Sequence, residues 1–221
     1  MKEKNMKEFK TVIQNAEAEI EEKKSRFIAN IFCIESIKEA EKKLRSVRKK
    51  YFDARHHCYA YRIIEKSEGN NNVMIKEKQS DDGEPSGTAG APMLNILQKN
   101  ELINVLVIVT RYFGGTLLGT GGLVRAYSDA TLKVLLDAGI GRQKLGYVMK
   151  VVIEYKNLER FKYYCRKHQI SIIEIVYEKN IICTIELTKE EKIDLLKENQ
   201  KEVLILDNTV LEEKYIKTMI E

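Results

Sequence analysis

Arg111, Gly114, Gly115, Gly119, Gly121, Gly122 and Arg125 lie in one short stretch, RYFGGTLLGTGGLVRAY (111–127). Glycine weakens regular structure and is useful where a backbone turns sharply or approaches another group closely. A glycine-rich turn between a buried strand and a helix N-terminus presents free backbone N–H groups, and the helix dipole adds positive potential there. Gly121 and Gly122 are placed to supply such donors. Arg111 at the strand end and Arg125 in the first helical turn add charge. The chemistry this allows is capture of an anion, the phosphate of a small molecule or of an RNA backbone. The alternative is a tight structural connection in which helix and strand backbones touch. The loop is not a Walker loop, because no Gly-Lys-Ser/Thr closes it. Nor does GTGGLV have the spacing of the dinucleotide-binding fingerprint.

A second loop, SDDGEPSGTAGAP (80–92), carries Asp81, Asp82 and Glu84 beside Ser80, Ser86 and Thr88. Oxygens of these types can ligate a hard cation such as Mg2+, with Asp81 and Asp82 the candidate metal ligands. The other reading is a turn with solvated carboxylates, since Asp favours turns. The backbone from Thr88 to Ala91 could also donate to a ligand shared with the first loop. His56 and His57 are neighbours on an aromatic-rich strand, HHCYAYRII (56–64), so they point to opposite faces. One is half-buried, and the other is free to act as a ligand or general base. His57 and Tyr59 are also candidates to stack on a base. Four scattered cysteines form no C-x-x-C pair and read as buried, reduced thiols. No resident cofactor is expected. No fixed histidine cluster suggests a zinc hydrolase, and no G-x-S-x-G elbow suggests a serine one.

Elements must position these residues. KSRFIANIFCI (24–34) and TVIQ (11–14) read as strands. SIKEAEKKLRSVRKKY (36–51) reads as a helix, with Ser36 and Glu39 in a capping-box pattern and a basic face over 42–50. Residues 65–72 read as a hairpin tip returning into VMIKEK (73–78). A short helix over 93–100, a buried strand over 103–113 and a helix over 123–139 follow. After GIGRQK the order is β-α-β-β-α-β, the split ferredoxin-like unit. The boundary falls near Gly141 to Gly146, giving a first domain over 1–142 and a second over 143–221.

The chain has 221 residues, 43% hydrophobic and 32% charged, enough for one large domain or two small ones. A net charge of +5 permits an anionic partner without demanding one. No apolar run approaches the length of a bilayer span, and the N-terminus is charged, so a cytoplasmic protein with no membrane partner is expected.

The glycine stretch resembles the signature of the IMPACT/YigZ family: Arg111, Tyr112, Phe113, Gly114, Gly115, then Leu118, Gly119, Gly121, Gly122, Leu123, Arg125, Ala126 and Tyr127. SDDGEPSGTAGAP, KSRFIA and HHCYAY are similar to its other shared segments. The resemblance implies an α+β protein of two domains. The first would have the ribosomal-protein-like β-α fold of domain IV of elongation factor G. The second would be a ferredoxin-like βαββαβ domain similar to that factor's C-terminal domain. The resemblance also implies translation control through RNA, the ribosome or a translation factor. Eukaryotic members regulate an initiation-factor kinase pathway through an additional N-terminal domain, and residues 1–8 read only as a charged tail, so that partner is not carried over. Two functions remain open. One is a non-enzymatic binding protein using the basic glycine-rich surface. The other is a Mg-dependent enzyme on a nucleotide or phosphorylated small molecule, with His57 as base.

Overall fold

The computed structural model describes residues 3–4, 6, 8–66, 72–198 and 203–218. The chain divides into two units, one ending at Arg142 and the other spanning Gln143–Thr218. The chain passes between them inside a strand. Gly139 ends the preceding helix as its C-cap, with φ of 66, while Gly141 and Gly146, between which the boundary was expected, both lie within that strand.

The first unit contains β1 (Glu3–Lys4), β2 (Glu8–Val12), β3 (Ala16–Glu22), β4 (Ser25–Cys33), α1 (Ile37–Lys50), β5 (His56–Lys66), β6 (Asn72–Ser80), α2 (Gly90–Lys99), β7 (Val105–Tyr112), α3 (Gly119–Ala138) and the start of β8 (Ile140–Ile153). Six of its strands form an antiparallel sheet in the order β1-β6-β5-β7-β4-β3. β7 lies inside this sheet, and its side chains are buried on both faces. Val105, Val107 and Val109 join Met93 and Leu97 of α2 and Val134 of α3 in one core cluster. Leu106 and Ile108 join Ala40 and Val47 of α1 in another. The unbroken apolar run of β7 is what a strand covered by helices on both faces requires.

α1 starts as its sequence suggests. Ser36 Oγ accepts from the Glu39 amide at 3.1 Å, and the Glu39 carboxylate accepts from the Glu35 amide at 2.9 Å. α2 begins at Gly90 and α3 at Gly119, earlier than the apolar periodicity indicated, because glycine carries no periodic signal. The segment 65–72 expected as a hairpin tip falls largely outside the described residues; β5 and β6 pair up to Lys66↔Val73.

The second unit continues β8 into α4 (Leu158–Lys167), β9 (Ser171–Tyr177), β10 (Ile181–Thr188), α5 (Lys189–Glu198) and β11 (Ile205–Thr218). Its strand order is β11-β8-β10-β9, which is fourth-first-third-second of a βαββαβ unit. Its core is built from Met149, Val151, Ile153, Phe161, Cys183, Ile185 and Leu195. This is the ferredoxin-like arrangement, and the protein is α+β with two antiparallel sheets.

Candidate functional site

Strand register gathers both glycine-containing loops at one end of the first sheet. Arg26 at the start of β4 faces Tyr112 at the end of β7, and His56 at the start of β5 faces Arg111. The 80–90 loop reaches this end through Asp82, whose carbonyl accepts from His56 Nδ1 at 2.9 Å. The loop after β7 is fixed there by the Gly114 amide, which donates to Ser25 Oγ at 3.1 Å. The α1–β5 connector joins through Tyr112 Oη, which donates to Asp53 at 2.6 Å. That hydrogen bond, followed by burial, pushes the Tyr112 hydroxyl up to about 12.

The acids of the 80–90 loop have internal partners. Asp81 accepts from the amides of Gly87, Ala89 and Gly90 at 2.9–3.0 Å, so it caps α2 from a distance. Burial pushes its carboxyl up, but the three amides outweigh burial and leave it below its ordinary 3.8. Asp82 accepts from Arg48 and from the His57 amide, each at 2.8 Å. Glu84 Oε1 accepts from Arg111 at 2.7 Å and from Tyr127 Oη at 3.0 Å. The Arg111 and Glu84 side chains are only 7% and 3% exposed. Cys58 Sγ lies 2.9 Å from the Asp81 carbonyl and 3.3 Å from Tyr127 Oη. Burial pushes that thiol up to about 12, and burial likewise raises the Tyr127 hydroxyl. Among the described residues, no group of three His, Cys, Asp or Glu is arranged to hold a metal.

This geometry divides the residues singled out from the sequence. Arg111, expected on a phosphate, is an interior residue whose charge is matched by Glu84. Thr88 is buried, and its hydroxyl donates to the Pro85 carbonyl at 2.7 Å, so it closes its own loop instead of facing a ligand. His57 is buried on the α1 face, with Nδ1 3.1 Å from Thr110 Oγ1. Burial lowers its pKa, with the Asp82 carboxylate opposing, which favours the neutral ring. Tyr59 is half-buried on that same face, stacked on Tyr61 at 6.5 Å.

Gly115, Gly119, Gly121 and Arg125 remain exposed. Gly115 and Gly119 have φ of +85 and +72, which explains glycine there. Gly122 is close-packed on Leu118, 3.0 Å from where a Cβ would stand. Gly121 has neither reason: it is helical, and a Cβ there would meet nothing. α3 begins with no side-chain cap and no acid in its first turn, so its leading amides stay uncovered. Lys23 and Arg125 line a groove beside it with Leu118 and Gly122, and with the acids Glu22 and Asp129. Sequence reasoning missed the lysines. Lys23 and Lys24 form the two-residue tip between β3 and β4, both left-handed, with φ of 47 and 65. Such a turn favours Asn-Gly, and a lysine costs about 1 kcal/mol or more at each position. Two adjacent lysines at a hairpin tip were the available signal.

The Asp81 cap gives a first prediction. Asp81→Ala removes one acceptor from three amides and should cost about 1–2 kcal/mol. Because the folded carboxyl lies below its ordinary value, its contribution is complete above pH 3.8 and fades as pH falls through the folded value. Urea midpoints of wild type and variant should therefore differ at pH 7 and converge in strong acid.

A two-unit α+β protein, with a glycine-rich helix start and a hairpin of lysines at one sheet end, is the class that the fold defines. The Impact N-terminal domain family model matches residues 23–135. The chain is 39% identical to IMPACT family member YvyE of Bacillus subtilis over 77% of this chain and 76% of that protein. It is 36% identical to an IMPACT family member of Haemophilus influenzae over 74% of this chain and 77% of that one. A crystal structure of a hypothetical protein aligns at 28% identity and TM-score 0.57, covering 95% of this chain and all of that one. The chain belongs to the IMPACT family. None of its described helices is long and apolar enough to cross a membrane.

Proposed function

We propose that this protein is a non-enzymatic binding protein in translation, which takes RNA, free or within the ribosome, on the end of the first sheet that carries the start of α3. The observation that carries this reading is the uncapped N-terminus of α3 next to cations with no internal partner. Arg125, Lys23, Lys24 and Arg55 are exposed and carry no ion pair among the described residues. By contrast Arg26, Arg48, Lys50 and Arg111 are each paired with a carboxylate. Unpaired cations around free amides suit a polyanion better than a single phosphate. The tie to translation rests on the family resemblance. The enzymatic alternative loses support, because Asp81 and Asp82 already hold backbone and Arg48, and His57 lies buried on the α1 face.

The test is association with purified ribosomes and with short single-stranded RNA across a salt titration. Arg125→Ala should weaken binding at low salt and reduce the salt slope by about one unit, as expected for one lost phosphate contact. An unchanged slope would remove Arg125 from the surface. No binding at any salt would remove the reading itself.

A further inference from the structure

Phe113 stands on the glycine loop as a residue 52% exposed. It is not a loose surface aromatic. The Arg111 guanidinium carbon lies 5.6 Å from the centre of the Phe113 ring and 5.5 Å from the centre of the Phe27 ring, so the guanidinium serves both. Cation–π attraction acts at such distances. The Glu84 carboxylate holds the guanidinium at 2.7 Å, and Arg111 Nε is buried with no hydrogen-bond partner. The pair is therefore spent on placing charge beside these rings and not on a full hydrogen-bond set. One position further on, the Gly114 amide is fixed to Ser25 Oγ, so the backbone leaving Phe113 is held as well.

We infer that Phe113 is a preset stacking platform for an unpaired base of single-stranded RNA, and that Glu84 and Arg111 are positioning residues acting through it. This rests on the reading proposed above, which supplies RNA as the polymer; the ring itself reads only a base face. Bases in a duplex are stacked on each other and offer no free face to a protruding ring, so the platform selects an unpaired strand. Neighbouring Lys23, Lys24 and Arg125 then take phosphates. A ring ordered in advance loses little freedom on binding, which is the benefit of preorganisation.

The chain contains no tryptophan, so Phe113→Trp introduces a single indole at the platform. A short single-stranded oligoadenylate should quench the indole emission of Phe113→Trp, while a duplex of the same length should quench it weakly or not at all. Free adenosine monophosphate at the same base concentration separates a strand from a nucleotide site. Quenching as strong with the mononucleotide would overturn the assignment to a strand. Phe113→Leu, which keeps an apolar side chain, should lower oligoadenylate affinity roughly fivefold or more with an unchanged salt slope. Binding of the strand without quenching, or wild-type affinity in Phe113→Leu, would overturn the platform while leaving the Arg125-dependent surface intact. Ribosome binding without oligoadenylate binding would do the same. Failure of both ligands at every salt would overturn the platform together with the reading beneath it.

Discussion

Glu84→Ala should destabilise the first unit by about 3–5 kcal/mol, the usual penalty for removing one partner of a buried ion pair. The substitution leaves the Arg111 guanidinium, 7% exposed, without a counter-charge. It also removes the acceptor of Tyr127 Oη, a ring fully buried between α3 and the sheet. Asp81 and Asp82 are occupied by amides and by Arg48, and Arg111 Nε already lacks a partner. Phe27 meets Tyr127 edge-on at 5.2 Å and carries the guanidinium near its face, so movement of Arg111 would spread into the core. The measurement is a urea titration read by circular dichroism, in which the transition of the first unit moves and that of the second does not. A pair of substitutions separates charge from packing. Glu84→Leu with Arg111→Met replaces the ion pair by apolar volume and should recover most of the loss, as in other buried pairs. A double variant as unstable as Glu84→Ala would place the cost in shape and not in the orphaned charge.

That prediction depends on contacts between residues distant in sequence, which marks the limit of what was legible there. The βαββαβ unit was readable because its apolar residues alternate at strand period and then recur at helical period, as in IICTIELT followed by KEEKIDLLKE. The opposite facing of His56 and His57 was readable because strand period is two. β3 was not read, since AEAEIEE has two alanines and one isoleucine as its inward set and glutamates outward. The partner of Arg111 was not readable either. Glu84 sits in a loop beside two other acids, and only the folded course of that loop puts it, and not Asp81 or Asp82, against Arg111. The motif could say that Arg111 mattered. It could not say whether the guanidinium looked outward at phosphate or inward at Glu84.

The glycines of the same loop carry the other large effect, and they separate structure from function. A Cβ on Gly114 would stand 2.0 Å from the Lys24 carbonyl carbon, 2.1 Å from its oxygen and 2.4 Å from the Ser25 nitrogen. These are backbone atoms of the hairpin that carries Lys23 and Lys24, and they cannot rotate away. Gly114→Ala must therefore push the loop after β7 off the start of β4 and break the hydrogen bond that the Gly114 amide donates to Ser25 Oγ. The expected cost is about 3 kcal/mol, at the upper end of overpacking penalties. Gly121 is the contrast. It is helical, its Cβ would meet nothing, and alanine there should stabilise α3 by about 0.5–1 kcal/mol. The fold thus has a reason for glycine at 114 and none at 121. On the reading proposed above, glycine at this uncapped helix start lets a ligand come close to the backbone. Gly121→Ala should then melt slightly higher than wild type and bind RNA more weakly, while Gly114→Ala loses both stability and binding. The two melting curves beside the two RNA titrations decide the matter. If Gly121→Ala binds as wild type does, close backbone approach at the start of α3 is not how this surface holds its partner.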